Sequence, residues 1–171
     1  MTRTNPVKLL ILEGSQNRAE ELIVLLRTAG RATRAHLLES AADLNQKLNA
    51  QSWDLCLAKQ EVNGLTIADL LSQIKSLDKD IPVIMLAEDR DPATITAGLK
   101  LGALDVALDD DDERLMLIIE RELGNLDNRR AMRLAEVQLR ETDRRNQLLL
   151  DSSNAAIAYV HEGMHIYTNS A

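Results

Sequence analysis

IPVIMLAEDRDPATITAGLKLGALDVAL, residues 81–108, contains the whole repeating unit of the chain in one span. Pro82 to Leu86 is an almost continuous apolar run, the signature of a strand covered on both faces. Asp91 followed by Pro92 is a cap-plus-first-turn signal, so a helix starts there. Asp105 to Leu108 is a second short apolar run, and the span therefore reads strand, helix, strand. The same alternation recurs towards the N-terminus, with apolar runs at Val7–Leu12, Arg34–Leu38 and Leu55–Ala58. Between them, Ala19, Leu22, Ile23 and Leu26 fall at i, i+3, i+4 and i+7, one face of a helix. Ile67, Leu70, Leu71 and Ile74 repeat that spacing. Ala41, Leu44 and Leu48 form a shorter version behind an N-cap at Ser40, with Asp43 three residues later. Gly30 is placed to stop the first helix. Strand and helix alternating in this way predict an α/β fold, a parallel sheet with helices on both faces, because each crossover is right-handed and covers a face.

Composition narrows the function. The chain has 171 residues, 45% of them hydrophobic, but with no Phe, one Trp and two Tyr. Stacking platforms for bases are essentially missing, and a net charge of −7 lacks the basic footprint of a nucleic-acid binder. The single cysteine, Cys56, lies among apolar neighbours and reads as a small core residue, which fits a reducing cytoplasm. The N-terminus lacks a secretory pattern, and no apolar stretch approaches the ~20 residues of a membrane helix. A cytoplasmic location without membrane insertion is expected.

The C-terminal third follows different rules. From Asp112 to Leu150 there is no Pro and only one Gly, Gly124. Leu115, Ile118 and Ile119 can pack onto the sheet as a fifth helix, but beyond Leu126 the apolar residues thin out. So narrow a stripe cannot bury itself, and it predicts a projecting helix, paired with a second copy or simply solvated. Leu126, Leu134, Val137 and Leu148 are the expected dimer positions, although Glu141 interrupts their heptad. After Asp151, apolar alternation around Glu162-Gly163 predicts a hairpin.

Lys59, just beyond the C-terminal edge of the third strand, raises the functional question, since ligands and chemistry of open parallel sheets gather at that edge. No Ser/His/Asp, Cys/His or glycine-rich phosphate-loop arrangement appears, and His36, His161 and His165 show no ligand grouping. The run Asp109 to Glu113 lacks the spaced oxygens of a calcium loop and reads as favourable charge at a helix N-terminus. No metal, cofactor or catalytic residue is expected.

KLLILEGS, WDLCLAKQ, DIPVIMLAE and LGALDV together resemble response-regulator receiver domains over residues 6 to about 122. The resemblance implies a flavodoxin-like (CheY-like) five-stranded sheet, (βα)5. It also implies two acids after strand one that hold Mg²⁺, a phosphoacceptor carboxylate ending strand three, a hydroxyl residue ending strand four and a lysine after strand five. In this sequence those positions carry Glu13 and Gly14, Lys59, Ala87 and Asp109, and Val106 stands where a switching aromatic is usual. The resemblance thus implies a degenerate, non-phosphorylatable receiver, with Lys59 expected to pair with Asp109, Glu13 or both, or else to reach into solvent. A phosphorylatable receiver using Glu61 is the less favoured alternative. An RNA-binding antiterminator is another, against which the acidic balance counts.

RETDRRNQLLLDSSNAAIAYVHEGMHIYTNSA resembles a signalling helix entering a PAS domain, and the order of parts is similar to FimX-like multidomain cyclic-di-GMP regulators. That likeness implies a degenerate receiver at 1–122, a signalling helix at 123–150 and the start of a PAS-like domain at 151–171. It further implies homodimerisation, downstream PAS, GGDEF and EAL domains, and contact with the type IV pilus machinery in twitching motility. A place at the cell pole is the implied location.

Overall fold

The computed structural model describes residues 5–152, 158–162 and 164–168. The elements run β1 (Val7–Leu12), α1 (Gln16–Thr28), β2 (Thr33–Leu37), α2 (Ala41–Ala50) and β3 (Leu55–Lys59). Then come β4 (Glu61–Val62), β5 (Leu65–Thr66), α3 (Ile67–Ser76), β6 (Val83–Ala87), α4 (Pro92–Leu101) and β7 (Asp105–Leu108). The chain continues through α5 (Asp112–Asp151), β8 (Ala158–His161) and β9 (Met164–Thr168). Contacts divide it into two units, Met1–Asp127 and Asn128–Ala171.

In the first unit five parallel strands form one sheet in the order β2-β1-β3-β6-β7, the flavodoxin-like order expected from the sequence. Successive side chains along a strand point to opposite faces, so β1 feeds two cores. Leu10 and Leu12 pack with Leu44, Trp53, Cys56, Leu70 and Met85 on one face. Leu9 and Ile11 pack with Leu22, Leu26, Leu57, Leu115 and Ile119 on the other. Cys56 is fully buried, and that burial pushes its thiol up to about 12, as suits a core residue.

Helix ends follow local chemistry. Ser40 caps α2 by accepting from the Asp43 amide at 3.2 Å, and Asp91 caps α4 by accepting from the Ala93 amide at 3.0 Å. Asp43 does not complete a reciprocal cap on Ser40. Its carboxylate accepts instead from His36 Nε2 at 2.8 Å and from the Glu39 amide at 3.2 Å. Gly30, at φ 81°, follows α1 in the left-handed conformation that glycine tolerates.

Three details differ from the sequence reading. Lys59 closes β3 rather than following it. A small antiparallel hairpin, β4–β5, comes next, turning on Asn63 at φ 51° and Gly64 at φ 78°. Asn-Gly is the strongest short hairpin signal, because both turn positions require a positive φ. Thr66 then forms a full capping box with Asp69 to start α3. Finally, Leu126 is only 1% exposed and is buried within the first unit. It is therefore unavailable to a partner helix, contrary to its expected place among the dimer positions.

Gly98, inside α4, lets the helix lie close against the sheet. A Cβ there would lie 2.6 Å from Met85 Sδ and 2.9 Å from Val106 Cγ2. Ala ordinarily favours a helix interior over Gly by ~1 kcal/mol, yet at this site the overlap outweighs that gain. Gly98→Ala is expected to lower stability by about 1–2 kcal/mol in urea unfolding. An increase in stability would show that α4 stands further from β6 and β7.

In the second unit β8 pairs antiparallel with β9, His161 opposite Met164, and Glu162 takes φ 50° in the connection. Residues 153–157, 163 and 169–171 of the expected PAS-like segment lie outside the described residues. No helix among the described residues is long and apolar enough to cross a membrane.

Candidate functional site: a charge cluster at the strand ends

Parallel strands bring their C-terminal ends to one rim, so residues far apart in sequence meet there. Glu13 follows β1, Lys59 ends β3, Ala87 ends β6 and Asp109 follows β7. Lys59 Nζ lies 3.2 Å from Asp109 Oδ2 and 3.4 Å from Glu13 Oε2, with the exposed Glu88 Oε1 at 3.3 Å. Of the two expected partners, the structure brings both to the lysine.

Glu13 is the most deeply placed member, its side chain 2% exposed. One oxygen accepts from the Ser15 amide at 2.9 Å, where the chain turns into α1. The other, Oε2, is buried without a hydrogen-bond partner and faces the Lys59 ammonium across the ion pair alone. A buried carboxylate so placed depends on that cation.

A second cation enters from α1. Arg18 Nε donates to Asp109 Oδ1 at 2.9 Å, and its Nη2 donates to the Asp109 carbonyl and, at 2.8 Å, to Asp112 Oδ1. Glu21 takes Nη1 at 3.1 Å. Sequence reasoning missed Arg18 because nothing local announces it, its main partner lying 91 positions away. The acidic run after β7 does more than decorate a helix start. Asp111 caps α5 by accepting from the Arg114 amide at 3.1 Å, while Asp109 and Asp112 clamp Arg18.

Protonation follows from this geometry. Burial works against the charge on Asp109, but hydrogen bonds and fields from Arg18 and Lys59 outweigh it and hold the carboxyl below its ordinary range. Burial likewise pulls the Lys59 ammonium downward, and Asp109, Glu88 and Glu13 together carry it above the ordinary lysine value. Arg18 is raised in the same sense by Asp112, Asp109 and Glu21 against its own burial. All three groups are charged at neutral pH.

The remaining positions contribute little chemistry. Ala87 is buried, and its carbonyl accepts from the Asp109 amide at 2.9 Å. Val106 is buried in the core beside Met85 and Gly98. Gly14 offers no ligand, although a Cβ there would meet only Val62 Cγ1, at an ordinary 3.7 Å. A cleft of about 350 Å³ opens beside Lys59 between the ends of β3 and β6, lined by Gln60, Glu61, Ala87, Glu88 and Thr94.

Mg²⁺ does not fit this donor set. It needs several oxygen ligands around one point. Here one carboxylate oxygen of Glu13 and one of Asp109 already face an ammonium group within 3.4 Å. Among the described residues no group of three or more His, Cys, Asp or Glu side chains could hold a metal.

No protein-family profile matches the sequence, and no curated protein matches it. Solved structures do. The receiver domain of the LuxO repressor protein from Vibrio parahaemolyticus superposes with a TM-score of 0.66 at 16% identity, covering 75% of this chain and 98% of that one. The receiver domain of an HD-domain-containing protein from Pseudomonas fluorescens Pf-5 gives 0.64 at 20% identity, covering 77% and 96%. The receiver domain of a histidine kinase from Syntrophus aciditrophicus gives 0.59 at 24% identity, covering 70% and 91%. The fold is therefore that of response-regulator receiver domains, with a long C-terminal helix.

Proposed function

We propose that this chain is a signalling module of receiver fold that does not run an aspartyl phosphorylation cycle and acts instead through protein contacts. One observation carries the reading. The residue that ends the central strand, where a receiver presents its acceptor carboxylate, is Lys59, already engaged by Glu13 and Asp109. An ammonium group there cannot form an acyl phosphate, and it fills the electrostatic role that a metal would otherwise have. The rim is thereby set in one charge state, which suits a docking platform rather than a switch.

The wider arrangement belongs to the same proposal. Residues 1–122 form the pseudo-receiver, 123–150 the signalling and dimerisation helix, and 151–171 the opening of a PAS-like domain. The whole resembles the start of a FimX-like regulator, whose cyclic-di-GMP site would lie in downstream domains. Cytoplasmic action near the pilus machinery at the cell pole accompanies that reading.

Incubation with a small phosphodonor and Mg²⁺, followed by intact-mass measurement, tests the central claim. The expected result is an unchanged mass. A stoichiometric gain of about 80 Da would overturn the proposal and direct attention to Glu61.

A further inference from the structure

The long helix leaves Met132, Leu139 and Leu149 exposed at 73%, 62% and 64%. Residues 128–150 distribute their charges unevenly over the seven columns of a heptad. Five columns contain charged residues, for example Arg133, Glu141, Asp143, Arg144 and Arg145. Only two contain none: Met132, Leu139 and Asn146 in one, and Asn128, Ala135, Thr142 and Leu149 in the other. These two columns stand three residues apart, the a-to-d offset of a coiled-coil seam. Charge is thus excluded from one seam and from no other.

We infer that residues 128–150 form a parallel, in-register coiled coil with a second copy of this chain, with Met132, Leu139 and Asn146 at a and Ala135, Thr142 and Leu149 at d. The inference rests on the dimerisation part of the proposed function and replaces the stripe of Leu134, Val137 and Leu148, which this register turns outward. Three observations support it. The Thr142 hydroxyl donates to the Gln138 carbonyl of its own helix at 2.9 Å, so its methyl group can enter the seam without an unsatisfied donor. In a parallel pair Asn146 meets its own copy and can exchange amide hydrogen bonds, the use that coiled coils make of a single a-position Asn to set register. In an antiparallel pair centred on Leu139, by contrast, the flanking positions would set Glu136 against Asp143, a like-charge contact. With Ala, Thr and Asn among its core positions the seam is weak, so the pairing depends on concentration.

Cysteine cross-linking and molar mass of the 171-residue chain test this. Leu139→Cys and Leu149→Cys are expected to form disulfide dimers under mild oxidation at least tenfold faster than Val137→Cys or Leu134→Cys. Wild type, whose single Cys56 is buried, should form none. Asn146→Leu should strengthen association at least tenfold by replacing the polar pair with an apolar one. A monomer at every concentration would overturn both the seam and the dimerisation part of the proposed function. A dimer that cross-links faster through residues 134 or 137 would overturn the seam alone.

Discussion

Lys59→Met is expected to lower the stability of the first unit by about 2 kcal/mol at neutral pH, the cost of leaving one side of an ion pair buried. The usual range for such a loss is ~3–5 kcal/mol, and two features reduce it here. The Lys59 side chain is 21% exposed, and Asp109 keeps Arg18. Among the described residues Glu13 has no such second cation, only the Ser15 amide, so the loss concentrates there. Its sign with pH follows. Asp109 is held below its ordinary range in the folded chain, so its contribution is present above about pH 4 and is lost as pH falls through the folded value. The Lys59 ammonium is held above its ordinary range, so its contribution is present below about pH 10.4 and is lost as pH rises past the folded value. The gap between wild type and Lys59→Met should therefore be widest near neutrality and close towards both extremes. Thermal unfolding at a series of pH values checks this. A gap independent of pH would mean that the methylenes of Lys59 matter and its charge does not. Adding Glu13→Gln to Lys59→Met should recover at least half of the loss, since an amide buries more cheaply than an uncompensated carboxylate.

Lys59→Asp should cost more, about 3–4 kcal/mol, because it replaces attraction with repulsion beside Glu13 and Asp109. The same change builds the beginning of a cation site, and Gly14→Asp would extend it into space the fold leaves open. Expected behaviour for the double variant is a low unfolding midpoint in chelator that rises with millimolar Mg²⁺, while wild type stays unmoved. Saturation to about a hundred times the dissociation constant would restore ~2.7 kcal/mol. Absence of any Mg²⁺ response in the double variant would show that more than charge separates this rim from a metal-binding one.

The division between what is local and what is distant explains which features could be read in advance. Strand and helix alternation needed only hydrophobic period and caps, signals carried within a few residues of each other. Val7–Leu12 and Asp105–Leu108 accordingly occur where the apolar runs predict them. The β4–β5 hairpin was equally legible at Asn63-Gly64, since both turn residues are adjacent in sequence. The charge at each strand end was also legible, because a parallel sheet carries the ends of β1, β3, β6 and β7 to one rim whatever their sequence separation.

By itself, then, the sequence determined the α/β class, the strand order by resemblance, and a cation where an acceptor carboxylate is usual. Tertiary structure alone decided three further matters. It brought Arg18 from α1 onto Asp109, a pairing that no local pattern encodes. It also buried Leu126 in the first unit, taking it from the projecting stripe. Lastly, it left Glu13 Oε2 with Lys59 as its ion-pair partner and no hydrogen bond. Ion pairing and burial depend on which surfaces meet in space, and that information lies in the packing of whole elements rather than in any one of them.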